Sequence, residues 1–152
     1  MVELIEYENA EDDDMWKQIL SSAEAAVFMY SISSKASLAS AQDMWQKAKA
    51  TKEEMGTWEP FQFCFLGNKA DLEDEREVSR EEGEAAAKSM ECAFRECSAK
   101  VRTNIDETVE ELVQKILTYR DNERIRYEQM KAQAEKGKKK KERSPFKRLF
   151  SK

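Results

Sequence analysis

The chain has no histidine, four glycines, three cysteines and no long apolar run. Each shortage excludes something. Without histidine, neither Ser-His nor Cys-His catalysis can be assembled, and most zinc chemistry goes too. Cys64, Cys92 and Cys97 lack metal-ligand spacing, so reduced, buried thiols are expected. No stretch of about 18 apolar residues and no signal-peptide pattern occur, so a cytosolic or nuclear protein that does not span a membrane is expected. At 152 residues there is room for one modest domain and a tail. The charge is unevenly spread. Residues 136–152 hold nine Lys or Arg and one Glu, net +8 in a chain of −5, which leaves −13 on the other 135 residues. An acidic body argues against nucleic-acid binding, and a basic tail suggests an anionic partner of its own.

What is present centres on Phe61 to Leu72, FQFCFLGNKADL. An apolar run ends in Gly67, and Asn68-Lys69-Ala70-Asp71 follows. A strand and tight turn can present such side chains at a sheet's carboxyl edge, where α/β folds bind ligands. A carboxylate there can accept from the N1–H and the exocyclic amine of guanine, a donor pair that adenine lacks. Alone, the pattern equally fits a strand-ending turn with solvated charges. A second segment, Phe94 to Lys100, carries Ser98-Ala99-Lys100 after a short apolar strand. Between the two lie a charged loop and a helix, opened by a capping box of Ser79 and Glu82 and presenting Ala86, Ala87 and Met90.

The two segments, in this order, resemble the NKxD and SAK motifs of Ras-type small GTPases. The resemblance covers roughly Met1 to Leu117. It implies a guanine nucleotide, GTP or GDP, as cofactor. It assigns Asn68 to supporting the base and loop, Lys69 to covering the base plane and Asp71 to reading the base. In Ser98, Ala99 and Lys100 it places the loop whose alanine amide meets the guanine O6.

Upstream, Ala25 to Ile32 reads as a buried strand and Ser34 to Met55 as a helix. Leu38, Ala41, Trp45 and Ala48 form that helix's buried stripe, with Trp45 as core. Val2 to Tyr7 reads as one more strand. Glu11 to Asp14 read as the acidic first turn of a helix whose apolar face is Trp16, Ile19 and Leu20.

The family's phosphate loop, GxxxxGK(S/T), needs two glycines five apart. Gly56, Gly67, Gly83 and Gly137 provide no such pair. The first switch segment has no counterpart, and Glu6 to Asp14 contain no DxxG. The expected fold is therefore an α/β, incomplete Ras-like P-loop NTPase fold lacking the first two strands, first helix and phosphate loop. The strand-like start at Val2 fits a sequence cut short upstream. Mg²⁺ binding is not expected, and neither is GTP hydrolysis by the chain as given. Two charge-assisted hydrogen bonds at about 1.5–3 kcal/mol each, plus stacking, must exceed an association cost of at least about 4 kcal/mol. The surplus corresponds to about millimolar binding or weaker.

Asn104 and Glu107 read as a capping box opening a last helix, with Ile105, Val109, Leu112 and Ile116 as its stripe. Past Tyr119 the stripe fades, so residues 1–119 read as the G-domain portion and 120–152 as a charged extension with a basic tail. The helix is expected to project into solvent before Gly137. Lys138, Lys139, Lys140, Lys141, Arg143, Lys147 and Arg148, interleaved with Phe146, Leu149 and Phe150, suit an anionic membrane surface. Calmodulin-like capture, nuclear import and a merely solubilising tail are the alternatives. No cysteine follows Cys97, which excludes prenylation of this sequence. The missing lipid box, the absent DxxG and the basic-aromatic end resemble the Rad/Gem/Kir subgroup, whose tails bind phosphoinositides and calmodulin. Cytoplasmic residence, peripheral at the inner face of the plasma membrane, is the matching expectation. Three functions remain in competition: a Ras-like GTP-binding signalling switch with effector proteins, a degenerate nucleotide-free scaffold, and a membrane-docking adaptor.

Overall fold

The computed structural model describes residues 5–6, 13–56 and 61–142, the last six by their backbone alone. In chain order the elements are α1 (Asp13–Ser22), β1 (Ala25–Ser31), α2 (Lys35–Glu54), β2 (Gln62–Asn68), a 3-10 turn (Glu73–Glu75), α3 (Arg80–Ser89), β3 (Ala93–Glu96) and α4 (Ile105–Glu142). The chain divides into two units, Met1–Ile116 and Leu117–Lys152.

In the first unit the three strands form one parallel sheet in the order β1-β2-β3. Ala25 to Ser31 pair with Gln62 to Asn68, and Cys64 to Gly67 pair with Ala93 to Glu96. The α/β expectation holds. Parallel pairing brings the carboxyl ends of all three strands to one edge of the sheet. β2, the middle strand, alternates between two cores because successive side chains point to opposite faces. Phe65 joins Phe28, Tyr30, Ile32, Trp45, Ala48, Val78 and Ala87 on one side. Cys64 and Leu66 join Cys97, Ala93 and Ile105 on the other. Burial raises the pKa of all three thiols, that of Cys92 to about 11. All three cysteines are free.

The helices follow their local signals. Ser34 caps α2, accepting from the Ser37 amide, and Ala41, Trp45 and Ala48 are buried as the stripe requires. The Ser79–Glu82 capping box opens α3. Asp13 and Asp14 occupy the first turn of α1, whose Trp16 and Leu20 are buried. Asp13 pairs with Lys47 at 2.9 Å, and the Trp16 indole N–H donates to Thr51 Oγ1. Glu11 and Asp12 lie outside the described residues.

Three expectations are corrected. β1 is buried on one face only. Phe28 and Tyr30 are covered, whereas Val27 and Met29 are 38 % and 49 % exposed, because no described element lies over that face. Of the strand expected over Val2–Tyr7, only Ile5 and Glu6 are described, and both are exposed and outside any strand. The capping box expected at Asn104 gives way to a longer reach. Asn104 has left-handed backbone (φ 58), not the extended backbone of an N-cap, and its amide donates to the Glu96 carbonyl at 2.8 Å. Apart from these corrections, α4 is one helix that continues through Gly137 to Glu142. One glycine costs a helix about 1 kcal/mol, and the flanking lysines are good helix formers.

Tyr30 is 2 % exposed and stacks on Phe65 with centroids 5.3 Å apart. It leaves no space around two glycines. A Cβ on Gly83 would meet the Tyr30 hydroxyl and, at 2.7 and 2.8 Å, the Phe94 ring. Gly83→Ala gains about 1 kcal/mol of helix propensity. Overpacking costs about 1–3 kcal/mol, and Tyr30 is fully covered, so sterics win. The variant is expected to have a lower urea midpoint, and the loss should shrink in a Tyr30→Phe background because one of the clashing groups is gone. A raised midpoint in Gly83→Ala would show that the rings yield.

Tyr30 also sets an alkaline limit. Burial, reinforced by the charge of Glu96, pushes its pKa from 10.0 to about 12. A group raised on folding contributes stability that is complete below its unfolded pKa and disappears as pH climbs through its folded one. Between pH 10 and 12 the wild-type chain should therefore lose about 1–3 kcal/mol more than Tyr30→Phe does. Parallel urea titrations of the two proteins measure it, and coincident pH profiles would contradict it.

Candidate guanine-base site

The loops that follow β2 and β3 leave neighbouring strand ends and are tied together immediately. The Cys97 amide donates to the Gly67 carbonyl at 2.8 Å, and the Ala70 amide donates to the Cys97 carbonyl at 2.9 Å. Asn68, the last residue of β2, is the hub. Its Oδ1 accepts from the Lys69 amide at 2.8 Å, from the Ala99 amide at 3.1 Å and from the Cys97 thiol at 3.8 Å. The first bond is a local one from side chain to the next backbone amide, which competes with regular structure. Lys69 accordingly has left-handed backbone, φ 66, and its side chain stays in solvent.

Asp71 faces the second loop. Ser98 is 1 % exposed and donates its hydroxyl to Asp71 Oδ1, while the same oxygen accepts from the Val101 amide at 3.3 Å. Lys100 Nζ lies 3.8 Å from the other carboxylate oxygen. The Ser98 hydrogen bond holds the Asp71 carboxyl below its ordinary pKa, with Lys100 and Lys69 adding to the effect. Asp71 is therefore ionised at neutral pH and accepts only, the state that reading a pair of N–H donors requires.

Asn68, Lys69, Asp71, Leu72, Ala99 and Lys100 line one open pocket of about 250 Å³. This falls below the roughly 300–1,000 Å³ of drug-sized ligand sites, and suits a base rather than a whole nucleotide. Five of the six residues expected in the site line this pocket. Ser98 stands behind it as a buttress for Asp71. The Ala99 amide, expected to face the guanine O6, is engaged with Asn68, so a base carbonyl arriving there would share or replace that bond. Among the described residues no group of three or more His, Cys, Asp or Glu is arranged to hold a metal ion. No described helix is long and apolar enough to cross a membrane. Of the basic tail, Lys138 to Lys141 lie on the α4 backbone, and Arg143, Phe146, Lys147, Arg148, Leu149 and Phe150 lie outside the described residues.

Sequence reasoning missed three contributors. Leu72 supplies an apolar wall of the pocket. Asn104 and Thr103 brace the second loop from behind, through the Glu96 carbonyl and a two-way backbone pairing with Ser98. Arg76 and Glu96 form an ion pair beneath both loops. Opposite charges 20 residues apart carry no spacing rule, and nothing local could have joined them.

Known proteins place this geometry. A sequence-family model described as Ras family matches residues 10–118. The Ras-related protein RABC2a of Arabidopsis thaliana is 38 % identical over 98 residues, 62 % of this chain and 44 % of that protein. RABC1 of the same plant is 37 % identical over 98 residues, 62 % of this chain and 43 % of that protein. A Ras-like protein of Laccaria bicolor is 34 % identical over 105 residues, 69 % of this chain and 48 % of the relative. The chain thus spans a little under half the length of these curated relatives. A match over residues 10–118, taken with a parallel sheet that delivers both guanine-type loops to one edge, shows that the chain belongs to the Ras family of small GTP-binding proteins.

Proposed function

We propose that this chain reads the guanine base of GTP or GDP through Asp71, with Asn68, Lys69, Ala99 and Lys100 around it, and supplies neither a phosphate cradle nor a Mg²⁺ site. The observation that carries the reading is the ionised Asp71 carboxylate at a base-sized pocket walled by both loops. Its two oxygens can take the N1–H and amine of guanine once Lys100 swings aside, and Lys100 is 78 % exposed and free to do so. Binding of this kind selects a base without holding the phosphates. The chain therefore acts in Ras-like signalling as a recognition part and not as a GTPase on its own. If no guanine nucleotide binds, a nucleotide-free scaffold for effector proteins is the remaining role.

NMR titration with millimolar GDP and ADP tests this. GDP should shift the amides of Asn68 to Leu72 and of Ser98 to Lys100, and ADP should not. Asp71→Asn should weaken GDP and gain for xanthosine diphosphate, because xanthine offers a carbonyl where guanine offers an amine. Single-turnover assays with excess protein should show GTP hydrolysis at the no-protein rate. Equal shifts with ADP and GDP, or hydrolysis abolished by Asp71→Ala, would refute the reading.

The basic end supports a second element of the proposal. Because α4 runs on to Glu142, Lys138 to Lys141 begin the basic run on a helix backbone, one turn of consecutive cations. We place the protein in the cytoplasm, peripherally at the anionic inner face of the plasma membrane, with Lys138 to Lys152 as the contact. Basic residues near such a surface contribute about 1 kcal/mol each, attenuated by salt. Co-sedimentation with vesicles should require acidic lipid, weaken with salt, and fall when Lys138, Lys139, Lys140 and Lys141 are all changed to Ala. Binding that ignores lipid charge and these substitutions would remove the membrane, and calmodulin would be the partner to test.

A further inference from the structure

The β2–β3 ladder ends at the pair Gly67 and Glu96. Both loops begin just beyond it, held at their start by the Cys97–Gly67 and Ala70–Cys97 backbone bonds. A covered side-chain ion pair adds to those bonds at that point. Arg76, which ends the 3-10 turn after the first loop, donates Nη1 to Glu96 Oε1 at 2.7 Å and Nη2 to Glu96 Oε2 at 3.1 Å. The same guanidinium donates Nε and Nη2 to the two Glu73 oxygens at 2.9 and 2.7 Å, and Nη1 to the Val78 carbonyl at 2.9 Å. All five of its N–H groups are thus used. The Glu77 and Val78 amides both donate to the Ile32 carbonyl, just past β1. Arg76 therefore links the end of β3 to the segment that follows β2 and, through Val78, to the residue just past β1.

The burial of this pair sets it apart from the surface ion pairs. The Arg76 side chain is 17 % exposed and that of Glu96 10 %, against 60 % and 53 % for Arg80 and Glu84. A surface pair contributes little, whereas removing one partner of a covered pair leaves an uncompensated charge. Lysine cannot replace arginine here, because a single ammonium cannot reproduce a planar fork that meets two carboxylates and a carbonyl together.

We infer that Arg76, acting through Glu96, is a positioning residue that holds the two loops in register so that Asp71 and Ala99 address one base edge. The inference rests on the base-reading proposal, since only a ligand touched by both loops needs their separation fixed. Hydrogen bonding of one planar edge from two loops demands placement within about 0.5 Å. The backbone bond between Ala70 and Cys97 and the bond from the Ala99 amide to Asn68 lie on the line that Arg76 braces, so both report on it.

The test uses the full chain as wild type, Arg76→Lys, the swapped pair Arg76→Glu with Glu96→Arg, and Arg80→Ala as a surface control. Amide hydrogen exchange is read at Ala70 and Ala99, with Ala48 in the buried stripe of α2 as internal reference. GDP and ADP titrations are run on each protein. In Arg76→Lys, exchange at Ala70 and Ala99 should quicken by at least about tenfold while Ala48 keeps its rate, as a local opening requires. The GDP-over-ADP preference should narrow in the same variant and recover in part in the swapped pair. Arg80→Ala should change neither. Unchanged exchange at Ala70 and Ala99 in Arg76→Lys would overturn the inference, as would equal acceleration at Ala48, which would make Arg76 a general stability residue. A wild-type chain that does not distinguish GDP from ADP would refute the base-reading proposal, and exchange alone would then decide whether the clamp exists. If Arg76→Lys does not fold, Glu96→Gln, which keeps shape and loses charge, takes its place with the same expected outcomes.

Discussion

The parallel pairing of β2 with both neighbours is the constraint on which the rest depends. Parallel strands bring their carboxyl ends to one edge, so Ser31, Asn68 and Glu96 finish side by side. Loops separated by a helix and nearly 30 residues are thereby made neighbours without a dedicated scaffold. The pairing also fixes the cores. Buried on both faces from Cys64 to Gly67, β2 is apolar there, while β3 needs only four residues to carry its loop to the edge. Gly67 belongs to the same constraint. A Cβ there would lie 2.8 Å from the Tyr30 hydroxyl, so the strand that positions the site can approach Tyr30 only as glycine.

At that edge, polar groups are spent on each other before any ligand arrives. Asn68 takes three donors on one oxygen, Ser98 bridges Asp71 and Val101, and Arg76 uses its whole fork. Buried or half-buried polar groups that are fully paired rigidify their surroundings, whereas unpaired ones cost free energy. The site is thus preorganised in part by side chains, Ser98 and Arg76, that do not themselves line the pocket. Lys52 shows the same logic away from the site. It is 3 % exposed, donates to the Ala23 carbonyl at 3.0 Å and lies 4.4 Å from the centre of the Phe61 ring. Desolvation lowers its pKa, and these contacts replace the water it has lost.

What could be read from the sequence was local or periodic. The Asn68–Asp71 and Ser98–Lys100 segments are short runs of fixed spacing, and the Ser79–Glu82 box and the Trp45 stripe obey helix geometry. What could not be read was pairing at a distance. Nothing at Arg76 announces Glu96, and nothing at Lys52 announces a carbonyl 29 residues away. Asn104 looked like a cap because Asn is a good cap. Its left-handed backbone and its reach to the Glu96 carbonyl follow from where β3 ends, a tertiary fact. β1 misled in the opposite sense. Its residues are apolar in both directions, as strands of doubly covered parallel sheets are, yet the described residues cover only one of its faces.

Selectivity and affinity separate cleanly in a site of this kind. Specificity is a difference between two binding free energies, so terms common to both ligands cancel. Phosphate contacts and stacking serve guanine and adenine nucleotides alike and set how tightly either binds. Asp71 serves one only. Adenine offers such a carboxylate no matching donor pair, so the loss falls on adenine alone. That penalty persists however weak the total binding. A chain that reads the base without cradling the phosphates can therefore discriminate as well as a tight binder does. On the proposed reading, Ser98 would serve that discrimination by keeping Asp71 charged, and Arg76 by fixing where the charge sits.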